Sequence, residues 1–342
     1  MQGRRLAVAI GAVALALGLA VGAVVGWHAE RAGPDSGPVA ADRGTGEARS
    51  APESMEVPEP VSPSGEGRAA ASGAGPGGGQ VAALPKLPSG ADLAGLPAWR
   101  RHAAPFAPVR GRPRIAVVID DLGLDAARTE RVIELPAPLT LAFLPYGPDL
   151  GARTARARAR GHELLVHVSM EPEGGSADPG PHALGVGQGP EQIRARLDWA
   201  LGRFAGYVGI NNHMGSRFTS DPEGMAVVLG ELKARGLLFL DSRTTAATVG
   251  YALARAAGIP AAERKVFLDR TPARDAVDAQ LAEVERLARR DGAVIAIGHP
   301  HDATIEALAA WFPGLAEKGL QAAPVSAVVR HRSVRTAPAG KP

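Results

Sequence analysis

The pattern of apolar and polar positions divides this 342-residue chain near residue 113. Beyond that point, short and wholly apolar runs alternate with stretches of helical periodicity. Ile115-Ala116-Val117-Val118-Ile119 lies between Pro113 and the pair Asp120-Asp121, as a strand buried on both faces would. Similar runs at 139–144, 164–168, 207–210, 237–240, 265–268, 294–297 and 323–329 predict further strands. Helices are expected over 149–160, 190–204, 222–235, 245–257, 276–290 and 303–317. Several open on Asp, Thr or Pro, and Gly161, Gly236, Gly258 and Gly292 stand where caps close them. Such alternation implies an α/β fold with a mostly parallel sheet. Seven or eight strands suit a (β/α) barrel better than an open sheet.

Before residue 113 the pattern is different. Arg4 and Arg5 precede an apolar run over 6–27 that no charge interrupts. A run of that length spans a bilayer as a helix of about 20 residues. Arginines ahead of it place the N-terminus in the cytoplasm and the rest of the chain in a periplasm-like space. A cleaved signal peptide has a shorter apolar core, roughly 7–15 residues, so an uncleaved inner-membrane anchor is the preferred expectation. Secretion to the periplasm after cleavage is the other. Residues 28–112 read as a disordered Pro/Gly/Ala-rich linker, with a short helix near 91–101. The folded domain is expected at 113–332.

Composition narrows the chemistry. The chain has no cysteine, which removes disulfides, thiol nucleophiles and thiolate metal ligands. Any metal must sit on histidine and carboxylate. The net charge of +3 is spread through mixed Arg, Asp and Glu, and aromatics make up only 4%, so no nucleic-acid partner is expected. The sequence holds no Gly-x-Ser-x-Gly elbow, phosphate loop or His-Glu-x-x-His motif.

Polar residues gather instead where the predicted strands end. Asp120 and Asp121 follow the first. His167 and Ser169 end the third. Asn211, Asn212 and His213 follow the fourth, Asp241 and Ser242 the fifth, Asp269 the sixth, and His299 and His301 the seventh. Parallel barrels place their chemistry at these carboxyl ends. Helix capping accounts for Asp and Ser at such positions, but histidine is no preferred cap. His162 stands at the start of its strand, the wrong end, and reads as structural. Two histidines and a carboxylate can bind a divalent ion and leave a place for water. A further histidine across the mouth can protonate a leaving group. Those parts suit hydrolysis of an amide or ester.

The same residues carry a family likeness. Ile119-Asp120-Asp121-Leu122-Gly123 resembles the Asp-Asp-Gly opening motif of polysaccharide deacetylases, and the segment from Gly161-His162-Glu163 to His167 resembles their second motif. Residues 209–216 (Gly-Ile-Asn-Asn-His-Met-Gly-Ser), 239–242 (Phe-Leu-Asp-Ser), 264–269 (Arg-Lys-Val-Phe-Leu-Asp) and 296–301 (Ala-Ile-Gly-His-Pro-His) together look like the divergent polysaccharide deacetylases of bacterial envelopes. The likeness covers roughly 114–330.

The resemblance implies a deformed (β/α) barrel, a divalent metal, usually zinc, and an N- or O-acetylated envelope glycan as substrate. It places Asp120 as general base, Asp121 and His167 as metal ligands, and His299 as general acid. Two places depart from the ordinary pattern. Glu171 stands where the second motif has another histidine, and the third-motif region reads Asn211 to Arg217 without the usual Arg near Pro. His213 then becomes the candidate third ligand, with Glu171 the other candidate. Arg217 becomes the candidate for orienting base or substrate. Glu171, Asn211, Asn212, Asp241 and His301 are expected to line the substrate. Against this metal-dependent deacetylase stands a catalytically weak barrel that binds envelope glycan or a protein partner. The two separate on whether Asp121, His167 and His213 converge.

Overall fold

The computed structural model describes residues 95–175 and 177–336. The expected anchor and most of the expected linker lie outside them. No helix among the described residues is long and apolar enough to cross a membrane. The elements run α1 (Ala98–Arg101), β1 (Arg114–Leu122), α2 (Ala126–Ile133), β2 (Thr140–Phe143), α3 (Leu150–Ala159), β3 (Glu163–Met170) and α4 (Pro190–Leu201). They continue with β4 (Gly209–Met214), α5 (Pro222–Arg235), β5 (Leu238–Asp241), α6 (Gly250–Ala256), β6 (Ala261–Glu263) and β7 (Val266–Phe267). Last come α7 (Arg274–Asp291), β8 (Ala293–Gly298), α8 (Asp302–Trp311), β9 (Gln321–Ala322) and α9 (Val325–Thr336).

All strand pairs are parallel, in the order β6-β5-β4-β3-β2-β1-β8-β7, with β9 against the start of β1. The two ends of that order are consecutive in the chain. β6 pairs with β5, the amide of Arg264 still reaches Asp241 O, and from Lys265 onward the amides turn to Ile295 and Ile297 of β8. One segment thus changes partners half-way along, and the sheet curls into the deformed barrel expected from the sequence.

Caps behave as the sequence reading requires. Asp221 accepts from the amides of Glu223 and Gly224 ahead of α5, Pro222 opens that helix, and Gly236 ends it in a left-handed conformation. Most strands bury their outward face under helices, and the inward faces of β1, β2, β3, β5, β6 and β8 contribute to a second core of small and branched residues. That inner core includes Ala116, Val118, Leu165, Leu240, Ile295 and Ile297. A fully buried aliphatic side chain of this kind contributes about 1.5–3 kcal/mol.

The structure corrects three expectations. Residues 323–329 form no strand: Pro324 follows the two-residue β9 and cannot donate to a ladder. The apolar run then winds into α9, whose Val325, Val328 and Val329 plug the bottom of the inner core. A run buried on all sides looks alike as strand or helix. The helix expected from 245 begins at Gly250. Residues 95–112, assigned to the linker, pack on the barrel. Trp99 is buried and its amide donates to Gly236 O, while Gln321 holds the Val109 amide and Ala107 O.

Candidate active site

Strand alternation delivers the site. On β1 the inward row Ala116, Val118 continues to Asp120; on β3 Leu165 leads to His167; on β8 Ile295 and Ile297 lead to His299; on β5 Leu240 leads to Ser242. Side chains two apart share a face, so an apolar floor passes directly into a polar mouth. Asp121 breaks the rule, because an ideal strand would turn it away. Its backbone is left-handed (φ 58°), and the β1–β2 register shifts between Ile119 and Leu122. This bulge swings the second carboxylate back to the mouth. Aspartate tolerates the conformation better than most residues, yet it still stores of order 1 kcal/mol.

Three donors meet there. Asp121 Oδ1 lies 2.8 Å from His213 Nδ1 and 3.2 Å from His167 Nε2, and all three atoms fall within 4.8 Å of one another. Asp121 Oδ1 is buried and forms no well-aligned hydrogen bond. His167 Nδ1 faces Asn211 Oδ1 at 2.9 Å, so Nδ1 carries a proton and Nε2 is the ring atom turned to the cluster. An orphaned carboxylate oxygen between two imidazole nitrogens fits a divalent cation.

Around this cluster the charges are tuned. Asp120 is 3% exposed, and its Oδ1 accepts from Asn211 Nδ2 at 2.8 Å. Burial pushes its carboxyl above the usual range; the neighbouring Asp121 adds to this, and His167, His299 and the Asn211 bond oppose it. Burial would raise Asp121 as well, but His167 and His213 hold it well below the usual carboxylate range. His299 Nδ1 meets Asp269 Oδ1 at 2.9 Å, and its Nε2 is 3.9 Å from Asp121 Oδ2. Burial opposes charge on that ring, but the Asp269 bond and the fields of Asp120, Asp269 and Asp121 outweigh it and push His299 up to about 9. Asp269 is itself fixed by the His299 amide at 2.6 Å and Thr304 Oγ1 at 2.8 Å.

The family model for the divergent polysaccharide deacetylases matches residues 117–329. The chain belongs to that family. An uncharacterized protein of Haemophilus influenzae is 33% identical over 206 residues, 60% of this chain and 72% of that protein. The uncharacterized protein YibQ of Escherichia coli K12 is 36% identical over 196 residues, 57% of this chain, and the match spans 61% of YibQ, under two thirds of its length. The crystal structure of an uncharacterized protein from Agrobacterium tumefaciens C58 shares the fold with a TM-score of 0.67 and 31% identity, covering 68% of this chain and 96% of that one. Family membership supports a carbohydrate deacetylase-like function.

Within this deacetylase-family barrel, other expected site residues are distributed differently. Asp120, Asp121, His167, His213 and His299 come together. Glu171 does not join them: it sits at the rim, where Oε1 pairs with Arg217 Nη1 at 2.5 Å and Oε2 accepts from the Val186 amide at 2.7 Å. Arg217 is held by that same pair and makes no contact with Asp120 among the described residues. Asp241, 0% exposed, does not line the mouth, because alternation turns it outward to the Arg243 and Tyr251 amides and Thr248 Oγ1. Asn212 is likewise turned outward, accepting from the Ser242 amide and donating to Met214 O. Asn211 faces in but is buried beneath the site, joining Asp120, His167 and Ser242. His301 is exposed at the start of α8, its ring 5.9 Å from that of His299. His162 is structural as expected, accepting from the Leu139 amide and facing Ile133 O at the barrel floor.

Two neighbours of the site escaped the sequence reading. Half-buried Tyr146 lies close enough to Asp121 for the carboxylate to reinforce the effect of burial in raising its hydroxyl pKa. Arg264 donates to Ser242 O and Arg243 O at 2.6 Å each and feels the charge of Asp120. The arginine opening the Arg264–Asp269 motif was the available signal for the second. Nothing in the local pattern marked the first.

Proposed function

We propose that this protein is a metal-dependent deacetylase of an N- or O-acetylated glycan in the bacterial cell envelope. The convergence of Asp121, His167 and His213 beside Asp120, with the His299–Asp269 pair opposite, carries the reading. Asp121 Oδ1, His167 Nε2 and His213 Nδ1 would hold the ion, with zinc the first candidate. When bound, such an ion polarises the acetyl carbonyl and acidifies a water.

The chain's own groups do the rest. Asp120 accepts a proton from the attacking water as its oxygen bonds to the acetyl carbon. Asn211 holds the Asp120 carboxylate and the His167 tautomer with one amide group. The carbonyl carbon then parts from the sugar nitrogen or oxygen, and His299 gives its Nε2 proton to that leaving atom. Asp269 keeps His299 charged until then. Acetate and the free amine or hydroxyl are the products. The apolar run at 6–27, as an inner-membrane anchor, would place this chemistry in the periplasm.

Metal analysis of the purified full-length protein should find about one divalent ion per chain, and the protein should release acetate from acetylated peptidoglycan fragments. Asp120→Asn should keep the ion and lose acetate release by about a hundredfold or more. A folded protein without metal after zinc, nickel or manganese supplementation overturns the proposal. Metal binding without acetate release from N- or O-acetylated sugars favours the glycan-binding barrel instead.

A further inference from the structure

A cavity of about 340 Å³ opens between β7 and the first half of α7, with Arg264, Lys265, Phe267, Arg270, Gln280 and Glu283 among its walls. Its volume falls in the range of small-ligand sites. It adjoins the mouth through Phe267, whose ring meets His299 edge-on at 5.5 Å. Two guanidinium groups share that same phenyl ring, Arg264 at 4.9 Å and Arg270 at 5.5 Å.

The charges in the cavity do not cancel. Glu283 is taken by Arg286 through two bonds of 2.6 Å, and Lys265 by Glu263 at 2.5 Å. Arg264 spends its Nε and one Nη2 hydrogen on backbone carbonyls, and neither it nor Arg270 forms a salt bridge to a carboxylate among the described residues. Two like charges held at one aromatic ring repel each other until an anion joins them. Guanidinium groups are suited to this, because their planar forks grip a carboxylate or phosphate with two parallel hydrogen bonds.

We propose that this cavity is a subsite for an anionic substituent, a carboxylate or phosphate, on the sugar next to the one presented to His299. The protein then acts on an acidic acetylated glycan. The inference rests on the deacetylase reading for its substrate, but its binding test does not depend on turnover.

Calorimetry on the full-length metal-loaded protein would compare three probes. They are a neutral N-acetylglucosamine tetramer, a tetramer alternating N-acetylglucosamine with carboxylate-bearing N-acetylmuramic acid, and a tetramer carrying a sugar 6-phosphate. One or both acidic probes should bind about tenfold more tightly than the neutral one, as expected for a charge-assisted hydrogen-bond pair. The preference should shrink as salt rises and compete with inorganic phosphate. Exposed Arg270→Gln should remove most of it, and Arg270→Lys should restore only part. The stronger of the two acidic probes identifies the anion. Equal affinity for all three probes, or a preference unchanged in Arg270→Gln, overturns the subsite. Acidic preference without acetate release leaves the subsite standing and removes the deacetylase reading.

Discussion

The two ends of the barrel both bury titratable groups, and they use them in opposite ways. At the floor, Glu163 is 0% exposed and accepts from the Ser326 amide at 2.9 Å, the Ala104 amide at 3.3 Å and Thr140 Oγ1 at 3.4 Å. Thr140 Oγ1 in turn takes the Val325 amide at 3.1 Å. These bonds tie α9 and the 95–112 segment to β2 and β3, and His162 is held between two backbone groups close by. At the mouth, Asp121 Oδ1 is buried with imidazole nitrogens on two sides and no aligned donor. Its residue is held in a left-handed backbone. A buried acid satisfied by peptide donors is a fastener. An acid whose buried oxygen is left without an aligned donor, between two imidazole nitrogens, stays open to a ligand. Residue type alone does not tell the two apart.

Substitutions at the two ends should separate them most clearly. Asp121→Asn keeps a residue that tolerates the left-handed backbone but removes the anionic ligand. Metal affinity should fall by more than the roughly 10–100-fold that loss of an outer-shell partner brings. Full metal occupancy in that variant, measured after dialysis against trace zinc, would break the comparison. Glu163→Ala should do the reverse. It strands two backbone amides and a hydroxyl inside the floor and should cost about 3 kcal/mol in urea unfolding, while metal content stays at the wild-type level. An unchanged unfolding midpoint would show that Glu163 is no fastener.

The smallest effect concerns pH. His299 acts as an acid only while protonated, so turnover should fall as pH rises through about 9. Asp269→Asn removes the bonded negative charge, the ring releases its proton sooner, and the fall should move to lower pH by about one unit. The linkage runs the same way. The raised folded-state value stabilises the fold fully below about pH 6.5, the unfolded value, and that contribution fades as pH climbs through about 9. A pH–rate profile that Asp269→Asn leaves unmoved would mean another group sets the alkaline limb.

Much of this was legible along the chain. The strand runs, the Pro and Gly punctuation and the cluster of Asp and His at strand ends all depend on local pattern, and they led to the right architecture and to five residues that do meet. What failed was mostly direction. Asp241 and Asn212 stand at strand ends like their neighbours, but they lie on the outward side of the alternation. Their carboxylate and amide serve loops rather than the mouth. Residues 323–329 were misread because an apolar run buried on every side has no period to show. Arg217, a candidate for orienting base or substrate, is paired with Glu171 at the rim.

The residue types at the end of each strand, and the absence of thiol chemistry among them, can be read along the chain. So can the alternation of strands and helices that builds a parallel sheet. The curl that brings strands far apart in the chain to one mouth is a property of the folded sheet. So are the bulge at Asp121 that overrides strand alternation, and the pairing that makes Glu163 a fastener while Asp121 stays open. The reason is physical. Periodicity is local and can be read in a few residues, whereas register, curl and the pairing of a buried charge depend on contacts between residues tens or hundreds of positions apart.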